Sequence, residues 1–233
     1  MNNYLIDNLY SLKNEIREIA VKCGRDYESI NIVAVSKNFS SEHIRTLYEC
    51  GQKSFGENRA QEMIDKYNEL KELDIDWHFI GRIQTNKIKY IVQLADYIHS
   101  VWRLKEIDEI QKRAESLNKI QKIFLEVNVS GEETKAGLKP SEVDDLIANI
   151  VKTDTYQNIE IIGLMTMAPY TDDETVIRRS FSDLRKIRDK LQSSYKTIKE
   201  LSMGMSNDYK IAIEEGATYL RIGTRIFGER PYK

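Results

Sequence analysis

The sequence predicts an α/β fold, a single (β/α)8 TIM-type barrel with an extra N-terminal helix. Three observations carry this. Eight short β-branched or aromatic runs alternate with helical patterns. The alternation fits within 233 residues, close to the ~250 of such barrels. No Pro/Gly-rich linker, low-complexity stretch or composition break divides the chain, so residues 1–233 read as one domain. An open doubly wound sheet is the alternative.

The first element is a helix. Leu5, Leu9, Leu12, Ile16 and Ile19 recur at helical spacing, and Gly24 offers a left-handed cap. It precedes the first strand and is expected to cover the bottom of the barrel. The run 30–35, Ile-Asn-Ile-Val-Ala-Val, reads as a buried strand. A helix from Ser40 to Cys50 follows, stopped by Gly51. The other strand-like runs are 53–56, 77–81, 97–101, 122–129, 159–167, 199–203 and 219–227. Between the sixth and seventh, Val176, Ile177, Phe181, Leu184, Ile187 and Leu191 mark a clear helix, and Thr171 to Glu174 reads as its capping box. Pro140 and Ser141 start another helix, and Gly216 ends one.

Composition excludes several functions. Hydrophobic residues make up 41% of the chain, enough for a real core, and charges nearly cancel to a net −2. There is no basic field to draw nucleic acid. Cys23 and Cys50 make no CxxC and no disulfide framework, which fits a reducing cytoplasm. No signal peptide and no apolar run of the ~20 residues of a membrane span occur. His43, His78 and His99 lack metal-ligand spacing, so no metal is expected.

Barrel chemistry sits at the C-terminal ends of strands. Strand one ends in Lys37. Its stem would lie in an apolar wall, and partial desolvation favours the neutral, nucleophilic amine. A lysine snorkelling to solvent is the plainer reading. Strand two yields Asn58, which could be only a helix cap. Strand three yields Arg82, Gln84, Asn86 and Lys87 without a forced role, and the loop 128–137 carries a second lysine, Lys135. After strand seven, Gly204, Met205, Ser206 and Asn207 lead into a helix, and strand eight ends in Gly223 and Thr224. A glycine, a hydroxyl and a helix N-terminus suit a phosphate, although Ser206 alone could be an N-cap. Arg221 should point into the barrel, where it needs a partner. A ligand acceptor is one choice and Glu126 another. No P-loop, GxSxG elbow or strand-linked GxGxxG is present.

The runs AVSK at 34–37, GEN at 56–58, HFIG at 78–81, QTNK at 84–87, GLM at 163–165, LSMGMSND at 201–208 and RIGTRIFG at 221–228 resemble the pyridoxal phosphate homeostasis proteins. These are small fold-type III proteins like the alanine racemase N-terminal barrel. The resemblance runs from about Ile32 to Gly228. It implies pyridoxal 5′-phosphate (PLP) as cofactor, held covalently as a Schiff base on Lys37. It implies that Ser206 and Thr224, with backbone N–H groups around Met205 and Gly223, hold the phosphate. Asn58 would lie near the ring and Arg221 would face the pyridine nitrogen. Two departures stand out: Ile83 replaces the usual leucine, and Arg225 replaces a usual small residue and makes the rim more basic.

The resemblance also implies a role in intracellular vitamin B6 balance. Fold-type III racemases and decarboxylases add a β domain, and here no residues are expected to remain for one. A PLP carrier without turnover is therefore favoured, with no catalytic residue, acting as a monomer and passing PLP to apoenzymes. A weak racemase-like PLP enzyme and a cofactor-free Schiff-base aldolase are the rivals; the aldolase would be colourless.

Overall fold

The final two residues of every strand are buried, which requires cover on both faces of the sheet. The strands are β1 (Asn31–Val35), β2 (Ser54–Glu57), β3 (Asp76–Phe79), β4 (Tyr97–Val101), β5 (Gln121–Glu126), β6 (Ile159–Met165), β7 (Glu200–Ser202) and β8 (Tyr219–Ile222). They pair in chain order, all parallel, and β8 closes onto β1 with Val33 opposite Arg221. This closed barrel is seen in a computed structural model that describes residues 3–132 and 135–229. The helices are α1 (Asn3–Lys22), α2 (Ser41–Glu49), α3 (Ala60–Glu69), α4 (Ile88–Leu94), α5 (Leu104–Ser116), α6 (Val143–Lys152), α7 (Glu174–Gln192), α8 (Tyr209–Glu214) and α9 (Thr224–Phe227). Among the described residues, no helix is long and apolar enough to cross a membrane.

Two apolar clusters form among the described residues. The larger lies between sheet and helices and includes Leu9, Phe55, Phe79, Phe181 and Phe227. The smaller fills the lumen with Val33, Phe124, Ile162, Met165 and Tyr219. The barrel is thus packed, not hollow, and chemistry is left to its mouth.

Four expectations need correction. First, α1 does not cover the bottom. It packs on α2, α8 and α9, along the barrel wall. Asn8 donates to the Ile226 carbonyl near one end (3.0 Å), and Arg25 donates to the Ile213 and Ala217 carbonyls beyond the other (2.8 and 2.7 Å). The reason is that α9 has only four residues. The wall beside β8 and β1 is left bare, and the Leu5–Leu9–Leu12–Ile16–Ala20 stripe buries itself there. Second, strand eight stops at Ile222, and the rest of the 219–227 run becomes α9. Strand five likewise ends at Glu126 and strand six at Met165, because the last residues of each run form the mouth loops. Third, Asp173, not Thr171, caps α7. Its carboxylate accepts from the Thr175 and Val176 N–H groups, and Thr171 Oγ1 accepts from Asp173 N–H. The hydroxyl is taken up by a turn two residues before the cap. Fourth, Asn58 is not the cap of α3; Arg59 holds that position.

Two glycines of the noted motifs have steric reasons. A methyl at Gly81 would stand 2.0 Å from the Asn58 carbonyl oxygen, and one at Gly163 would stand 2.1 Å from the Glu200 carbonyl oxygen. In both places a neighbouring backbone segment lies so close that no side chain fits.

Candidate functional site

Lys37 lies in a turn just past β1, closed by Phe39 N–H donating to the Ser36 carbonyl (3.0 Å). It is half-buried. Asn38 takes a left-handed φ of 67°, a conformation asparagine tolerates better than most residues. The next residue pairs place the neighbours. Val35 pairs with Gly56, so Asn58, half-buried, leaves the sheet level with Lys37. On the other side Ala34 pairs with Ile222, so Gly223 and Thr224 emerge beside the same turn. Lys37, Asn58, Gly223 and Thr224 are therefore contributed to one edge of the mouth by three adjacent strands.

Ser206 sits in the turn before α8, half-buried. Its Oγ accepts from the Gly223 and Arg225 N–H groups, both at 3.3 Å. Two backbone N–H groups thus converge on one oxygen at the start of α9, with the exposed Thr224 hydroxyl beside them. The Thr224 N–H, first in its helix, has no acceptor within it. This is a cradle of the kind an anion's oxygens fit. Met205 contributes differently from expectation: its N–H donates to Asp208 Oδ1 (2.5 Å), and its side chain is exposed. Ser206, Asn207 and Arg225 also line a cleft of about 340 Å³ with Glu15, Tyr209 and Lys210. Arg225 does not leave the rim basic. It pairs with Glu15 of α1, which also accepts from the Tyr209 hydroxyl.

Arg221 points inward, as its alternation in β8 requires, and is buried. Glu126 is not its direct partner. The guanidinium donates to Ser202 Oγ (2.6 Å) and the Thr166 carbonyl (2.9 Å), both uncharged. Burial pulls its pKa down to about 10, with Asp208 and Glu126 opposing from further away. It stays charged at neutral pH, so the mouth keeps a cation whose charge no contacting carboxylate among the described residues cancels.

Behind Ser202 lies a chain that spacing along the sequence did not reveal. Ser202 Oγ contacts His99 Nδ1 (2.8 Å), and His99 Nε2 contacts His78 Nδ1 (2.9 Å). His78 stacks on Tyr97 and His99 on Phe124. Burial takes His78 down to about 3 and His99 well below its ordinary range, with His78 and Arg221 adding to the latter. Both imidazoles are neutral. They hold Ser202, which in turn orients Arg221. The only sequence signal for this was that His78 and His99 both fall in buried strand segments.

Sequence reading also missed a buried group beside Lys37: Ser36, Glu57 and Lys66. Of these, Lys66 is the informative one, because a lysine only 5% exposed is rare. Lys135, in contrast, pairs with Glu132 at 2.7 Å in the loop 128–137, of which Glu133 and Thr134 lie outside the described residues.

Residues 8–231 match the family described as alanine racemase, N-terminal domain. A relative from Aquifex aeolicus, named pyridoxal phosphate homeostasis protein, is 44% identical over 227 residues, covering 97% of this chain and 98% of that protein. The solved structure of PipY from Synechococcus elongatus PCC7942, with PLP bound, is 33% identical with a TM-score of 0.84, covering 96% of this chain and all (100%) of that one. Alanine racemase from Clostridium difficile 630 is 16% identical with a TM-score of 0.78 and covers 100% of this chain but 58% of its own, which shows the shared fold alone.

Proposed function

From the premise that the chain belongs to the pyridoxal phosphate homeostasis proteins, within the alanine racemase N-terminal domain family, we propose that it binds PLP at this mouth and serves PLP homeostasis as a carrier without turnover. One observation carries the reading: Lys37, Asn58, the buried Arg221 cation and the Ser206–Gly223 cradle open onto the same end of the barrel. The residues fit the group. Ser206, Thr224 and the Gly223 N–H would hold the phosphate, with Met205 contributing if Asp208 yields its N–H. Lys37 would hold the aldehyde carbon covalently as a Schiff base. Asn58 would flank the ring, and Arg221 would face its nitrogen.

When bound, PLP supplies an aldehyde that an amine can capture and a ring able to withdraw electrons. Arg221 restrains the second property. A guanidinium can only donate, and as a cation it keeps a proton off a ring nitrogen beside it. The Ser202–His99–His78 chain is neutral and adds no negative charge to reverse this. That supports retention of PLP over amino-acid chemistry. We extend the reading to a cytoplasmic monomer that passes PLP to apoenzymes; two free cysteines, one exposed and one half-buried, suit a reducing compartment.

The test is borohydride reduction of the PLP-loaded protein with peptide mapping. The pyridoxyl adduct is expected on Lys37; an adduct solely on another lysine overturns the site. Turnover is checked separately. Robust racemisation of amino acids by the purified protein, lost in Lys37→Ala, would overturn the carrier reading.

Arg221→Met separates stability from binding. Holding the cation out of water costs about 3 kcal/mol, judged from its fall from 12.5 to about 10. Removing it strips donors from Thr166 and Ser202, about 1–3 kcal/mol. The two largely offset, so thermal stability should stay within about 2 kcal/mol of the parent. PLP affinity should fall about tenfold with a shifted visible spectrum. An unchanged spectrum would sink the assigned contact.

A further inference from the structure

We propose that Lys66 and Glu57, with Glu62 and Ser36, form a buried clamp that positions the Lys37 turn for covalent capture of the cofactor. The inference deepens the PLP reading and rests on it for its chemistry, but the clamp is a property of this chain alone.

Lys66 projects from α3 beneath the turn. Its ammonium donates to three acceptors: the Ser36 carbonyl (2.7 Å), Glu57 Oε1 (2.6 Å) and Glu62 Oε1 (2.8 Å). All three of its protons are used. Ser36 Oγ donates to Glu57 Oε1 as well (2.6 Å), and the Asn38 N–H donates to Glu62 Oε1 (2.5 Å). The residues on both sides of Lys37 are therefore held, one through its hydroxyl and carbonyl, the other through its amide. A turn carrying a left-handed asparagine would otherwise be free to relax. Burying a lysine and a glutamate offers little net stability, since well-packed apolar residues commonly do as well. What such a pair supplies here is geometry at the two neighbours of the capturing amine.

The clamp also has a titratable member. Burial pushes the Glu57 carboxyl up to about 7, against the pull of Lys66 and the Ser36 hydroxyl, with Glu62 adding to the rise. Its Oε2 is buried without a hydrogen-bond partner. The groups facing it are Ser36 from the end of β1 and Lys66 and Glu62 from α3. Above pH 7 Glu57 is charged and grips Lys66; below it, Lys66 keeps only Glu62 as a charged partner. The stability sign is opposite. The folded value exceeds the ordinary 4.5, so this group favours the fold at low pH, and that contribution is lost as pH rises through about 7.

The test uses the wild-type protein, Lys66→Met and Glu57→Gln, with folding checked by circular dichroism. The first readout needs no cofactor: hydrogen exchange of the Asn38 amide in the PLP-free protein. It is expected to be slow in wild type and at least about tenfold faster in Lys66→Met. The second is the rate at which bound PLP becomes borohydride-trappable on Lys37, expected to fall roughly 10- to 100-fold in Lys66→Met. In Glu57→Gln the wild-type rise in trapping rate across neutral pH should be blunted. Should Lys66→Met not fold, Glu57→Gln decides. Folded variants with wild-type Asn38 exchange and wild-type trapping overturn the clamp. A wild type that traps no PLP on Lys37 instead overturns the binding reading, while the exchange result still judges the clamp.

Discussion

Lys37→Ala is expected to abolish the borohydride-reducible PLP adduct while leaving the fold intact. The turn it occupies is held on both sides of Lys37, through Ser36 and Asn38. The side chain is half-buried and outside both apolar clusters, so truncation opens no core cavity. The cradle at Ser206 and the Arg221 cation remain, so PLP should still bind without a covalent bond. Its affinity should weaken by about 100-fold, or about 3 kcal/mol. Absorbance titration gives the affinity, and mass spectrometry after reduction gives the adduct. A wild-type adduct found solely on some other residue, Lys135 for instance, would show that Lys37 is not the capturing amine.

Gly81→Ala should be the most damaging change to the fold among the substitutions considered. The new methyl would meet the Asn58 carbonyl oxygen at 2.0 Å, its carbon at 2.6 Å and its Cα at 2.7 Å. These are backbone atoms, so no side-chain rotation relieves the clash. The ends of β2 and β3 must part, at a cost of about 3 kcal/mol or more. For a chain of this size that lowers Tm by roughly 6–12 °C. The displaced segment carries Asn58 and adjoins Glu57, so PLP affinity should drop as well. Gly24→Ala is the control: its methyl would touch nothing within 4 Å, and only the φ of +65° resists it. A Gly81→Ala protein as stable as Gly24→Ala would contradict the close approach of the backbone after β3 to that after β2.

Much of the fold was legible because it is local. Eight runs of β-branched and aromatic residues became eight strands, and glycines at 24, 51 and 216 adopt positive φ just past helix ends. Boundaries failed where two local signals competed. Tyr219 to Phe227 is apolar enough for one strand, yet Gly223 turns the chain and Thr224 opens a helix. Thr171 and Asp173 both suit a cap, and the choice between them turns on two residues of backbone path. The candidate site was legible for a similar reason: strand ends supply barrel chemistry, so Lys37, Asn58, Ser206, Gly223 and Thr224 could be nominated from their places after strands, and Arg221 from its alternation within one.

The sequence by itself determined the alternation of strands and helices, the inward aim of Arg221 and the order of residues that reach the mouth. These follow from periods of two and 3.6 along the backbone and from turn chemistry, which act over a few residues. Only the tertiary structure decided partners. Strand pairing brought His78 to His99 and Ser202 to Arg221, closure of the barrel brought His99 to Ser202, and helix packing set Lys66 under a turn 30 residues away. It also placed α1 along the wall and gave Arg225 a glutamate across 210 positions. Those contacts depend on the stagger between strands and on which helix fills a gap, quantities that no short stretch of sequence encodes.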